Sequence, residues 1–371
     1  IKDVIELCGG TLLCGDENLE CTSFSKDTRD IKEGDIYVGI KGENFDGNDF
    51  YREAFNKGAK ACILDCDSKK ITDYLNSTIA IVPDSIKCIQ TLATYKRDMY
   101  DIPIVAVTGS VGKTTTREMI AKVLSYKYKV LTPIKNYNNH IGLPFTLLNL
   151  SDHTACVLEM GMNHFGEISL LSKIAKPNIA VITNIGTSHI GNLGSKENIL
   201  KAKLEILDGM DDKGLLIINN DDELLKNVSH NNKITVGVNN DSDYIGTRLT
   251  NTKIKINGIR IKNKNITSAF IYNALNAVAI GKILKVSNWN IKKALNSYSP
   301  SDNRLQLKES KTGITIIDDS YNASYESIKV SLEAIRSFNK RKIVVLGDIK
   351  ELGDKAIEIH QSIGDLIGGI D

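Results

Sequence analysis

No apolar run in this sequence approaches the ~20 residues that a membrane-spanning helix needs, so no span is predicted. Neither sign of charge dominates. Lys and Arg number 47 against 45 Asp and Glu, and the resulting +2 offers no particular attraction for nucleic acid or a membrane surface. Repeats and low-complexity tracts are missing, and the start carries no secretory pattern. It opens on Ile1 rather than Met and reads as trimmed. Cysteine is present, but not in a metal-binding pattern. The seven lie at positions 8, 14, 21, 62, 66, 88 and 156. Their number is odd, and no second Cys or His pair follows Cys62 and Cys66 at zinc spacing. They read as reduced, buried thiols of a cytosolic protein.

What remains is an ordinary globular chain, 42% hydrophobic and 25% charged, long enough at 371 residues for two or three domains of about 150 residues. Residues 1–98 mix short strand-like runs (DIYVGI, KACILD, TIAIVP) with helix-like ones. A polar junction, MYDIP, follows. From 99 to 298, apolar runs (IVAV, ACVL, IAVI, GLLIIN, ITVG) alternate with helical patterns, which predicts an α/β unit on a mostly parallel sheet. Residues 241–265 alternate with period two instead and read as inserted antiparallel hairpins. A third block runs from 299 to 371.

The densest signal is VAVTGSVGKTTTREM, residues 105–119. Four apolar residues end in a turn, and a helical pattern starts at Thr114. The common phosphate-loop pattern requires glycine where Val107 stands. The physics does not. Backbone amides of Thr108, Gly109, Ser110, Val111, Gly112 and Thr115 can face phosphate oxygens, and a helix start adds positive potential. Lys113 supplies a cation, and the Thr114 hydroxyl suits Mg²⁺. The bland alternative is a plain Gly-containing strand-to-helix turn; Gly-Lys-Thr-Thr-Thr at a helix start favours phosphate.

Two further residues fall on the same predicted sheet edge, and a third lies on a helix. Glu159 follows the strand ACVL, where carboxylates face a ligand crevice. His189 follows IAVI. Taken singly, each is better explained as a solvated strand end or a structural histidine. Lys203 shares the apolar stripe of SKENILKAKLEILDGM with Ile199, Ile206, Leu207 and Met210, whereas Lys201 lies with Glu197, Glu205 and Asp208. Either it snorkels, or its amine is neutralised or modified.

Together these segments resemble the Mur ligase family of peptidoglycan synthesis. Its loop form, TGSxGKTTT, matches Thr108 to Thr116 and lacks the first glycine. DTRDIKEGDIYVGIKGENFDGNDF, NYNNHIGLP, LEMGMNHFGEI, TNIGTSHIGNLGS, DDSYNA and LGDIKELG also resemble family segments, in order, over nearly the whole chain. The resemblance implies three domains: a smaller α/β domain for the UDP-sugar (1–98), a central phosphate-loop domain (99–298) and a Rossmann-like domain for the amino substrate (299–371). That third domain is read as incomplete, because the family's extends beyond LGDIKELG. The implied activity is ATP-dependent joining of D-alanyl-D-alanine to a UDP-N-acetylmuramoyl tripeptide, by a cytoplasmic monomer using Mg²⁺.

Residue by residue, the resemblance gives Lys113 and the loop to the ATP phosphates. It gives Thr114 and Glu159 to one Mg²⁺, and His189 with a carbamylated Lys203 to another. Asn273 would meet adenine, Arg304 the phosphates and Asp319 the ribose. Asn322 would lie near the incoming dipeptide. Asp27, Thr28, Arg29, Asp46 and Gly47 would hold the UDP-sugar, and Asn138 and Asn139 would line the peptide path. The chain departs from the family at Ala269 and Phe270, where a His-Asn pair is usual, and at Ser324 and Tyr325, where Asn-Pro is usual. A sister ligase adding the third amino acid is the nearest rival; it carries HLDYHG-like and Asp-Tyr-Ala-His segments where this chain has HIGNLG and DDSYNA. A non-catalytic nucleotide switch is a rival of another class.

Overall fold

The computed structural model describes the chain except Thr22, Leu75, Lys135, Asn265, Asp302, Thr312, Ser337, Lys340 and 369–371. It divides into two compact units, one of residues 1–102, 131–153 and 173–176, the other of 103–130, 154–172 and 177–371.

In the first unit, strands β1 (Thr11–Cys14), β2 (Phe24–Ser25), β3 (Ile36–Val38), β4 (Ala61–Leu64) and β5 (Thr78–Ile81) form one sheet in the order β1-β5-β4-β3-β2. β2 to β5 pair in parallel, and β1 closes the edge antiparallel to β5. The central β4, ACIL, is buried throughout, as expected for a parallel strand covered on both faces. This unit also takes in residues 131–153, read above with the middle block. The cause is apolar: the Gly142–Leu148 helix buries all seven of its residues and packs on the Ser85–Asp98 helix.

The second unit carries β6 (Ile104–Thr108), β7 (Val130–Leu131), β8 (Ala155–Glu159), β9 (Ile179–Ile182), β10 (Leu215–Asn219), β11 (Lys233–Gly237), β12 (Tyr244–Thr250), β13 (Lys253–Ile256) and β14 (Ile259–Lys262). Their order is β14-β13-β12-β11-β10-β9-β6-β8-β7. The pairs from β8 through β6, β9, β10 and β11 to β12 are parallel; β12, β13 and β14 form the inserted antiparallel hairpins. β6 is central, between β8 and β9, and wholly buried. On one face, the Lys113–Leu124 helix buries Met119, Ile120, Val123 and Leu124 at i, i+1, i+4, i+5 spacing and packs on the Ser268–Ile283 helix. Each such side chain contributes roughly 1.5–3 kcal/mol by leaving water. That packing fixes where the helix start points.

After Asn303 the described elements are an antiparallel ribbon, β15 (Gln306–Glu309) with β16 (Thr315–Asp318), and helices Tyr325–Arg336 and Ala356–Ile367. The two helices share a small core of Ile328, Leu332, Ile349, Leu352, Ile359 and Ile363. Residues 341–347 have strand composition but form no ladder with the described residues, and Ile343 and Val345 stay exposed.

All seven cysteines are free thiols. The expectation that they are buried holds for Cys62, Cys88 and Cys156 only; Cys8, Cys14, Cys21 and Cys66 are half-exposed. Cys14, for example, lies on the edge strand β1, where one side has no neighbour. Among the described residues no helix is long and apolar enough to cross a membrane.

Candidate active site

The phosphate-loop candidate joins β6 to the Lys113–Leu124 helix. Gly109 and Gly112 adopt φ of 147° and 81°, conformations that L side chains rarely take. A Cβ on Gly109 would collide with Thr183 Oγ1. No side chain caps the helix that Gly112 begins, so its first amides remain available to an anion. The loop is held from behind. Ser110 N donates to Asn184 O (3.0 Å), Val111 N to Asn184 Oδ1 (3.1 Å), and Gly186 N to Ser110 Oγ (2.8 Å). Thr183 Oγ1 and Asn184 Nδ2 both donate to Val111 O, at 2.7 and 3.0 Å. Thr108 Oγ1 reaches Met160 O at 2.8 Å. Replacing Gly109 with Ala is therefore expected to cost ~1–3 kcal/mol of stability. It should also lower ATP turnover at least tenfold; melting curves and a phosphate-release assay on the same preparation check both.

Lys113 folds back over this loop, its Nζ donating to Gly109 O (2.8 Å) and Ser110 O (3.2 Å). Desolvation pushes its pKa down; Glu159 opposes the shift and Arg304 adds to it. Thr114, buried, donates from Oγ1 to Glu159 Oε2 at 2.8 Å. Thr115 lies beside the hydroxyl of Tyr298, which donates to Glu118 Oε2 at 2.9 Å. Asn273 is buried behind Gly112 and accepts from Thr116 Oγ1 at 3.0 Å. Its amide nitrogen has no acceptor among the described residues.

His189 has φ of 64° and its Nδ1 lies 2.5 Å from Glu351 Oε2. Burial lowers its pKa; Glu351 opposes that, and Lys113 and Lys203 reinforce it. Lys203 is only 1% exposed, which rules out snorkelling. Nothing among the described residues accepts a hydrogen bond from its Nζ. Desolvation, with the nearby Lys113 charge, pushes its pKa well down. Lys113, Thr114, Glu159 and His189 thus lie along the edge that β6, β8 and β9 present, and the Lys196–Leu204 helix brings Lys203 near Lys113 and His189.

The third-block residues are also in this unit. The Arg304 guanidinium stacks on Tyr321, 4.0 Å from the ring centroid, and its charge is felt at Lys113. Asp319 accepts from Leu305 N (3.1 Å) and Ser331 Oγ (2.5 Å), and burial raises its pKa. Among the described residues, Asn322 Oδ1 accepts only from the amide of Ala323, at 3.0 Å.

The remaining candidates belong to the first unit. Asp27 caps Thr28–Asp30 and takes the Arg29 guanidinium at 2.6 Å, which brings its pKa down to about 2. Thr28 Oγ1 donates to Glu53 Oε1 at 2.9 Å. Asp46 accepts from Asn48 N (3.0 Å) and Nδ2 (2.7 Å), and Tyr37 OH donates to Gly47 O at 2.7 Å. Asn139 Oδ1 accepts from Gly142 N at 2.8 Å and so starts the following helix; Asn138 N donates to Asn136 O at 2.7 Å. Sequence reasoning assigned no part to Thr183, Asn184, Glu326 or Glu351. Thr183 and Asn184 at least follow directly on an apolar strand.

A glycine turn between a central parallel strand and an uncapped helix, with the half-buried Lys113 and the buried Glu159 beside it, defines a nucleotide-binding α/β protein. Residues 107–281 match the Mur ligase middle domain, and 303–371 match the Mur ligase glutamate ligase domain. The chain is 36% identical to the UDP-N-acetylmuramoyl-tripeptide–D-alanyl-D-alanine ligase of Bacillus subtilis, over 99% of its own length and 82% of the relative's. It is 30% identical to the Escherichia coli protein of the same name, over 98% and 82%. Among solved structures, MurF from Acinetobacter baumannii superposes with a TM-score of 0.88, at 29% identity, covering 100% of this chain and 84% of that one. MurF from Thermotoga maritima in complex with ADP gives 0.82, at 30% identity, covering 94% and 82%. The chain belongs to the Mur ligase family.

Proposed function

We propose that this chain is an ATP-dependent amide ligase that joins D-alanyl-D-alanine to UDP-N-acetylmuramoyl-tripeptide in the cytoplasm. The observation that carries this reading is the similarity to ligases of that name over 98–99% of the chain, supported by the glycine turn that leads into the Lys113–Leu124 helix. The same similarity favours it over the sister ligase that adds the third amino acid. Free cysteines suit a reducing compartment. The first block is assigned the UDP-sugar, through Asp27, Thr28, Arg29, Asp46 and Gly47, with Asn138 and Asn139 on the peptide path. The second is assigned ATP, and the third the dipeptide.

In the reaction, the terminal carboxylate of the tripeptide attacks the γ-phosphorus of ATP, giving an acyl phosphate and ADP. The dipeptide amine then attacks the acyl carbon, loses a proton, and phosphate leaves as the amide forms. Lys113 and the amides of Gly109 and 112–115 hold the phosphates and offset the charge that builds on the transferring group, whereas the Ser110 and Val111 amides expected from the sequence to do so are instead spent on Asn184. Asn273, through its unused amide nitrogen, is assigned to adenine. Arg304 is assigned to the phosphates, Asp319 to the ribose, and Asn322 to the dipeptide.

The residues fit a magnesium site with one condition. Thr114 and Glu159 are oxygen donors of the kind Mg²⁺ takes. His189 and an ammonium at Lys203 are not a sufficient partner set, and among the described residues no three His, Cys, Asp or Glu side chains gather in a ligating group. A buried amine with a depressed pKa and no acceptor is suited to react with CO₂, forming a carbamate and releasing a proton. Carbamylated Lys203 would then give His189 an anionic oxygen partner. Bound Mg²⁺ would supply charge neutralisation at the phosphates.

The test is phosphate release by the purified chain. Release should require ATP, the UDP-tripeptide and the dipeptide together, with a product mass equal to their amide. Release with neither acceptor present would favour the nucleotide switch, and release with the UDP-dipeptide and a free amino acid would favour the sister ligase.

A further inference from the structure

The candidate rim is gripped from the third block by two glutamates. Glu326, at the start of the Tyr325–Arg336 helix, accepts from Thr187 N at 2.7 Å and from Thr187 Oγ1 at 3.2 Å. A Cβ on Gly186 would lie 2.6 Å from that carboxylate, so the loop is seated against it. Glu351 meets His189 Nδ1 at 2.5 Å, across 162 residues of sequence.

The Glu351 contact is more than docking. The turn that carries it is already seated by its backbone: Gly191 N donates to Glu351 O at 3.0 Å, and any Cβ on Gly191 would lie 2.7 Å from Gly353 N. The carboxylate is not needed for that seating. Moreover, both partners hold left-handed backbone conformations, φ 62° for Glu351 and 64° for His189. Non-glycine residues adopt these at some cost, and here the result is to turn the two side chains onto each other. An ionised carboxylate can only accept, so the imidazole must donate from Nδ1. A neutral imidazole then keeps its lone pair on Nε2.

We propose that Glu351 is a positioning residue for His189: it accepts the Nδ1 proton, fixes the tautomer with a free Nε2 and holds the ring on the rim. If His189 ligates metal, a part of the inference that rests on the function proposed above, the site is complete only while the 351–353 turn is seated. Carboxylates behind metal-binding histidines commonly change affinity 10–100-fold. Seating of the third block and metal affinity are then coupled, each strengthening the other.

The experiment uses the whole chain labelled with ¹⁵N-histidine, with His189 assigned by its loss in His189→Gln. Long-range ¹H–¹⁵N spectra should report the Nδ1–H tautomer in the parent protein and in Glu351→Gln, whose amide oxygen still accepts. They should report a mixture or the Nε2–H form in Glu351→Ala, with an unchanged melting temperature. Binding of Mn²⁺ in the presence of a non-hydrolysable ATP analogue, read by electron paramagnetic resonance, should weaken about tenfold or more in Glu351→Ala. It should weaken less than threefold (an order-of-magnitude bound) in Glu351→Gln. An unchanged tautomer in Glu351→Ala overturns the positioning role. Unchanged Mn²⁺ affinity in Glu351→Ala, where His189→Ala weakens it, overturns the coupling. Unchanged affinity in His189→Ala overturns the metal reading itself, and the tautomer alone then decides for or against Glu351.

Discussion

Lys113→Met is expected to lower ATP-dependent ligation by about 10²–10³-fold, the usual consequence of losing one charge-stabilising donor. Methionine keeps most of the stem's volume, so the change removes a cation and little packing. Lys113 now rests on the carbonyls of Gly109 and Ser110, two acceptors that only partly replace water. Its lowered pKa has the same origin, with desolvation outweighing the pull of Glu159. An incoming phosphate would relieve that penalty, and the relief strengthens as negative charge accumulates in transfer. Binding and turnover should therefore both suffer, turnover more. The measurement is kcat and KM for ATP in the parent and variant chains, with the melting temperature as a control for folding. Turnover within threefold of the parent, a rough bound on assay noise against that expected loss, would remove Lys113 and the loop from the chemistry.

Much of this site could be read from the order of residues alone, because its main parts follow local rules. A buried strand, two glycines and a helix start occupy consecutive positions at 104–124, so the loop's geometry is a local property. Glu159 follows its strand directly. The stripe on the Lys196–Leu204 helix put Lys203 inside, and its burial followed. What stayed hidden depends on distant pairing. Periodicity says which way a side chain faces but not what it meets, so nothing in TNIGTSHIG announced that Asn184 would pin Val111 or that Glu351 would hold His189. The strand order was equally silent: β6 lies between β8 and β9, an arrangement set by crossovers rather than by any strand's composition. The hairpins at β12–β14 were legible because period-two alternation is itself local. The cysteines misled for a related reason. Apolar neighbours do not say what covers a side chain: Cys8 ends a short helix, Cys14 lies on an edge strand, and Cys21 and Cys66 lie in connections.

Lys203→Met should separate stability from activity more sharply than any other change in this chain. The parent residue is 1% exposed and its amine meets no acceptor among the described residues, so folding removes most of its water without return. A methionine of similar length avoids that cost, and the variant is expected to be more stable by about 1–4 kcal/mol near neutral pH. The gain should depend on pH in a fixed sense. As the unmodified amine, Lys203 has a folded-state pKa well below its ordinary value of 10.5. Between those two values the unfolded chain holds a proton that the folded chain lacks, so parent stability rises with pH across that window. Lys203→Met lacks this rise, and the two urea midpoints should converge from pH 7 towards pH 10, in the ordinary lysine range. Ligation, by contrast, should fall by about 10² or more if the modified amine is a ligand. The companion Lys203→Ala leaves a space, and added formate or acetate should restore part of its activity by supplying the missing carboxylate. The methionine variant has no such space and should not respond. An active Lys203→Met, or an alanine variant indifferent to carboxylates, would return Lys203 to the role of a costly packing residue and leave His189 without its oxygen partner.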